Sequence, residues 1–314
     1  MNELDATFPP ALARFRRWPL SRDQVMLLMV TINLIFLSLD TYIAHHESGT
    51  LVAREWIPIL FGLVGGGMLL VAGLIVSRNR PLATLMATLA LLASIAVGVL
   101  GAYFHLMRAA LPAAPVGERL TVDLLIWAPP VLGPLAFAIV GVLGLSAAWI
   151  ERPTDSGTLV LSRRRRLHLP FSKTRAYFFT VGMGMLAALV SSVLDHARTG
   201  FESPWVWYVT AVGTFALVAC VTMGALDKPT RADLMVYIAA MVLLILSGPL
   251  GTLVHVQANL VGGSTFILER FLRGAPFLAP LLYTNMGLLG LVALLDPGEH
   301  QQQRRATNNP LASR

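Results

Sequence analysis

Two histidines and two aspartates recur at matching places in the two halves of this sequence. His105 closes the stretch GVLGAYFH at 98–105, and His255 closes GPLGTLVH at 248–255. Asp40 follows Leu39, as Asp195 follows Leu194, and His45, His46 and His196 lie close by in the chain. Imidazole and carboxylate together suit iron, copper, zinc or manganese, and neutral imidazole is the usual axial ligand of haem. The candidate metal ligands are therefore Asp40, His45, His46, His105, Asp195, His196 and His255. Helical geometry adds four glycines. At about 100° per residue, Gly98, Gly101 and His105 fall within roughly 60° of one another on one face. His105 and His255 then stand above a groove floored by Gly98 and Gly101, or by Gly248 and Gly251, fit for another helix or a flat cofactor. The competing reading is that the same groups serve packing and hydrogen bonding where lipid meets water. No residue is assigned as catalytic: the sequence has no H-E-x-x-H, P-loop, dinucleotide fingerprint or nucleophile elbow.

The elements that must hold these residues are long and apolar. Hydrophobic residues make up 55% of the 314 and charged residues 13%, against about 25% charged in soluble domains. Mean hydropathy is +0.67. Eight apolar runs, at about 24–43, 56–77, 82–106, 123–149, 176–197, 205–226, 232–256 and 276–295, approach or exceed the roughly 20 residues that cross a bilayer as helix. They are too continuous for the alternating strands of a membrane barrel. The first run follows polar and basic residues with no A-x-A-like cleavage site, which predicts a retained helix. Cys220 is the sole cysteine, so no disulfide framework exists. No lysine lies in any run, which argues against a Schiff-base retinal protein.

The net charge of +7 reflects topology rather than nucleic-acid binding. With the N-terminus inside, 18 of the 24 Lys and Arg residues are cytoplasmic, and only Arg54, Arg108, Arg119, Arg198, Arg270 and Arg273 fall outside. That distribution follows the positive-inside rule and predicts a multi-pass protein of the cytoplasmic (inner) membrane with both termini cytoplasmic. The RRRR run at 163–166 reads as an anchor that also meets anionic headgroups. His45, His46, His105, His196 and His255 would then all lie at outer helix ends. The expected partners are the lipid bilayer and other membrane subunits, without nucleic acid.

The halves align throughout. PVLGPLAFAIVGVLGLSA at 130–147 matches PFLAPLLYTNMGLLGLVA at 276–293 without gaps, and Trp56-x5-Gly62 matches Trp207-x5-Gly213. This predicts an all-α integral membrane protein of eight transmembrane helices, arranged as two tandem parallel four-helix repeats about a pseudo-two-fold axis along the membrane normal. The segments are a cytoplasmic N-terminal tail (1–21), repeat 1 (22–150), a basic cytoplasmic linker (151–173), repeat 2 (174–296) and a cytoplasmic C-terminal tail (297–314). The repeated Pro130-x3-Pro134 and Pro276-x3-Pro280 read as helix starts, and Gly141/Gly144 and Gly287/Gly290 as packing faces. In FILERFLRG, an amphipathic stretch of loop 257–275, Glu269-Arg270 echoes Glu118-Arg119, with a surface ion pair expected in each half.

In outline, with eight helices, two four-helix halves and histidines near one face, the chain resembles haem A synthase. The resemblance implies a paired histidine set in each half. The register departs from that pattern: His45 and His46 align with Gly200 and Phe201, and His196 with Thr41. The functional expectation is a transition metal, iron, copper or zinc, held at an outer-leaflet Asp/His site for redox chemistry, metal handling or assembly of a respiratory enzyme. A haem-binding protein and a non-catalytic structural subunit of a membrane complex are the alternatives.

Overall fold

The computed structural model describes residues 20–49, 51–161, 165–260, 263 and 265–297. The N-terminal tail up to residue 19, the first two arginines of the 163–166 run and the C-terminal tail from 298 lie outside the described residues.

Helix α1 (Arg22–Glu47) starts at a capping box, in which the Ser21 hydroxyl accepts the Gln24 N–H at 3.3 Å and the Gln24 side chain accepts the Ser21 N–H at 2.9 Å. A 3-10 turn (Ala53–Glu55) leads into α2 (Trp56–Ile75). Helix α3 (Arg80–Ala109) begins at Asn79, with proline in its first turn. Then come α4 (Val122–Trp127) and α5 (Leu135–Ala148). The strands β1 (Ile150–Glu151), β2 (Thr158–Val160) and β3 (Arg166–His168) precede α6 (Lys173–Ala197), capped by Ser172. Helices α7 (Pro204–Ala225), α8 (Arg231–Asn259), α9 (Leu268–Arg273) and α10 (Leu281–Val292) follow among the described residues.

Among the described residues six helices, α1, α2 with its leading turn, α3, α6, α7 and α8, are long and apolar enough to cross a membrane. Their outer faces carry Phe36, Val64, Leu74, Leu89, Met183 and Leu246 in the open. A soluble protein rarely exposes so much continuous apolar surface. Facing lipid, these side chains need no cover, and the chain is a helical integral membrane protein.

The runs at 123–149 and 276–295 depart from expectation. The first is two helices, α4 and α5, separated by turns at Ala128–Pro134, and the second is only the twelve-residue α10 after turns at 277–280. Proline explains the breaks. Pro129, Pro130 and Pro134, like Pro276 and Pro280, supply no N–H, so a continuous hydrogen-bond ladder cannot form there.

In contact terms α1 packs on α2, α2 on α3 and α3 on α5, while α6 packs on α7, α7 on α8 and α8 on α10. Glycines set the closest approaches. A Cβ at Gly141 would stand 2.7 Å from the Leu91 carbonyl, and one at Gly287 would stand 2.6 Å from the Met241 carbonyl. Between the halves, α5 meets α6, and α10 meets α1.

The segment between the halves is more than a linker. Strands β1, β2 and β3 form a small antiparallel sheet in that order. Buried Glu151 accepts the N–H groups of Gly157 at 2.7 Å and Lys173 at 2.9 Å, fastening the sheet to the start of α6. The Lys173 side chain, 1% exposed, donates to Asp23 of α1 and to the Trp149 carbonyl. Tyr177 donates to Asp23 at 2.9 Å, and Arg22 donates to Thr174 at 2.7 Å. One buried polar knot thus ties the first helix of each half to the sheet.

The two expected surface pairs also differ. Glu269 pairs with Arg273 at 3.7 Å, one turn along α9, while Arg270 donates to the Ala258 carbonyl and Arg119 to the Ala114 carbonyl. Adjacent side chains on a helix diverge, and i,i+4 neighbours meet.

Candidate functional site: two histidine pairs

The helix break before α5 has a direct effect on His105. In a continuous helix the Pro130 carbonyl would accept the N–H of residue 134. Residue 134 is proline and has none. The carbonyl accepts the Gly133 N–H at 3.2 Å and His105 Nδ1, from the last turns of α3, at 2.9 Å. The second half repeats the arrangement. Pro280 offers no N–H to the Pro276 carbonyl, which accepts the Ala279 N–H at 3.1 Å and His255 Nδ1 at 3.0 Å.

A carbonyl oxygen only accepts, so Nδ1 carries the proton in both histidines. The neutral ring then presents its lone pair at Nε2, the tautomer that ligates a metal or accepts a hydrogen bond.

A second imidazole faces each of these rings. The His45 and His105 centroids are 6.0 Å apart with planes at 78°, and those of His196 and His255 are 6.1 Å apart with planes at 77°. The unequal register of His45 and His196 does not prevent this. His45 lies four residues beyond Thr41, the position aligned with His196. Four residues is one turn on the same helix face, so either position reaches the third helix of its own half.

Around the first pair is a cleft of ≈ 150 Å³. Asp40, His45, Arg54, Glu55, His105 and Arg108 give it polar groups, and Leu37, Phe104, Pro134 and Phe137 give it apolar wall. Glu55 is the buried charge here. Its Oε2 accepts the Val52 N–H at 2.8 Å and lies 3.7 Å from His45 Nδ1, while its Oε1 lies 3.8 Å from an Arg108 nitrogen. The His105 ring is thus held at Nδ1 by a backbone carbonyl, and the His45 ring has a carboxylate 3.7 Å from its Nδ1.

The other expected residues have different surroundings. His46 stacks near Tyr42, with centroids 5.5 Å apart, and lies outside the pair. Asp195 is 3.7 Å from Arg198, whose guanidinium also donates to the carbonyls of Ile126 at 2.6 Å and Ala128 at 2.9 Å. The grooves beside the glycines are filled. A Cβ at Gly98 would stand 2.5 Å from the Ala138 nitrogen, and one at Gly101 or Gly251 would stand 2.7 Å from Pro134 or Pro280. The following helix, rather than a flat ligand, occupies that space. Among the described residues no three His, Cys, Asp or Glu side chains converge as a metal would require.

Sequence reasoning missed Glu55, Arg108 and the prolines as parts of the site. The prolines carried a signal: the same Pro-x3-Pro stands beside the same histidine-bearing helix in both halves. Comparison with protein-family models, with curated proteins and with solved structures returns no match to this chain.

Proposed function

We propose that the protein is a membrane cytochrome of eight spans, built as two tandem four-helix units, that holds one haem between His45 and His105 and a second between His196 and His255. The observation that carries the reading is the pair of fixed tautomers, each with a second imidazole about 6 Å away. The separation would admit a metal between the two rings, since a metal–nitrogen bond of about 2 Å plus the ring's own radius comes to about 3 Å on each side. Haem asks the protein for only two axial ligands. A non-haem site asks for three or more, and no such group of side chains occurs among the described residues.

A haem with two histidine ligands carries single electrons and leaves no coordination position open to substrate. The chain's own part is to fix Nε2 through the Pro130 and Pro276 carbonyls, to place the Glu55 carboxylate beside His45, and to keep the pairs at one end of the bundle. By the distribution of Lys and Arg, that end faces away from the cytoplasm, in the cytoplasmic (inner) membrane. A protein that passes electrons at one membrane face works with other membrane subunits.

The test is the absorption spectrum of the purified full-length protein with its haem and iron content. Two haems per chain with low-spin spectra are expected, and one should be lost in each of His105→Ala and His255→Ala. Unchanged haem content and spectrum in both variants would sink the reading.

A further inference from the structure

We infer that the cleft over the first histidine pair recognises carboxylates of its ligand through Arg54 and Arg108, and that the second pair lacks this recognition. The inference rests on the haem reading, since haem is an apolar disc with two carboxylates along one edge.

Arg54 and Arg108 enter the cleft of His45 and His105 from different elements, the 53–55 turn and the end of α3. The Arg54 guanidinium lies 5.5 Å from the Phe104 ring centroid, which steadies a long side chain against the cleft wall. Arg108 touches Glu55 at a single long contact of 3.8 Å and is 37% exposed, so most of its five donors remain for a ligand. Arg54 and Arg108 share the cleft with the carboxylates of Asp40 and Glu55. The planar fork of arginine matches a carboxylate with two parallel bonds. Both residues sit at the ends of spans, where charge costs far less than at the bilayer centre.

The second half differs at these positions. Aligned on the halves, Arg54 falls on Trp205 and Arg108 on Ala258. Arg198 and Arg270, at the same end of the second unit, already donate to the backbone carbonyls of Ile126, Ala128 and Ala258. The two sites are therefore built to hold haem differently, the first by its propionates as well as its iron.

The experiment titrates the full chain, produced without haem, with iron protoporphyrin and with its dimethyl ester, following the Soret band. His196→Ala/His255→Ala isolates the first site, and His45→Ala/His105→Ala isolates the second. At the first site the free acid should bind at least about tenfold more tightly than the ester, as loss of charge-assisted bonds implies. At the second site the two forms should bind alike. Arg54→Gln/Arg108→Gln should abolish the preference, and Arg54→Lys/Arg108→Lys should keep part of it, which separates lost charge from a lost fold. Equal binding of acid and ester at the first site overturns the inference and leaves the haem reading intact. So does a preference that survives in the glutamine variant, which would assign the arginines to lipid headgroups. Failure of both forms to give a histidine-dependent spectrum overturns both.

Discussion

Asn33 and Asn285 exchange side-chain hydrogen bonds across the two halves. Each amide donates to the other's oxygen, at 3.2 and 2.7 Å, and Asn33 also donates to the Met29 carbonyl at 2.8 Å. In the alignment of the halves their counterparts are Ala188 and Ile139, so the bond exists on one side of the junction only. Two apolar helices that meet in lipid have more than one way to pack. An amide pair in lipid favours the one arrangement that satisfies both partners. Asn33→Leu and Asn285→Leu should each lower stability by about 1 kcal/mol, with a smaller loss in the double variant than the sum. Denaturant unfolding of the four proteins in detergent checks this, and strict additivity would refute the coupling.

The knot at the opposite end is worth more. Removing Lys173 leaves Asp23 with Tyr177 and Arg22 but without its ammonium partner, and takes the Lys173 donor from the Trp149 carbonyl. Lys173→Met should destabilise by about 3–5 kcal/mol, as breaking a buried pair from one side does. Adding Asp23→Asn should recover part of the loss in a thermal melt. A milder effect of the single variant than of the double would show that the charges do not pair.

Helix contact at Gly98 allows no side chain. Gly98→Ala pushes a methyl to 2.5 Å from the Ala138 nitrogen, whereas Gly67 has nothing within 4 Å of its added Cβ. Gly98→Ala should cost about 1–3 kcal/mol as overpacking. Gly67→Ala, with helix propensity in its favour, should be neutral or stabilising. Equal melting temperatures for the two variants would contradict the packing described.

Much of the fold was legible because lipid leaves few options: an apolar run of the right length is a helix, and six of the eight runs are helices long enough to cross a membrane. The runs at 123–149 and 276–295 were read as unbroken because proline is tolerated at a helix start, and the sequence does not say where that start lies. The small sheet escaped notice because β1 to β3 are only two or three residues each, too short for a periodic pattern. In the site, the histidines were legible by their recurrence, but their pairing was not. Aligning His196 with Thr41 hid the fact that His45, one turn further along the same face, reaches the same neighbour. Glu55 was invisible because it precedes its run and is buried only by the fold.

Pro134 tests how the histidine is oriented. Pro134→Ala restores an N–H at the position from which a helix would address the Pro130 carbonyl, in competition with His105. Nitrogen NMR of the wild-type protein without haem should show His105 protonated at Nδ1, and the variant should show mixed tautomers. His255, beside an untouched Pro280, is the internal control. An unshifted His105 in the variant would mean that the carbonyl holds the ring without help from the missing N–H.

That arrangement orients a side chain by leaving something out. The group at 130–134 that fixes the His105 tautomer is a main-chain oxygen, so the side chains there can change while the ring keeps its proton at Nδ1. The instruction occupies two codons in one short stretch and travels whole when the stretch is copied. A designer who needs an imidazole of defined protonation at the mouth of a helical bundle therefore has an alternative to a supporting carboxylate: place Pro-x3-Pro at the start of the neighbouring helix, and let the carbonyl that lacks its helical N–H do the orienting.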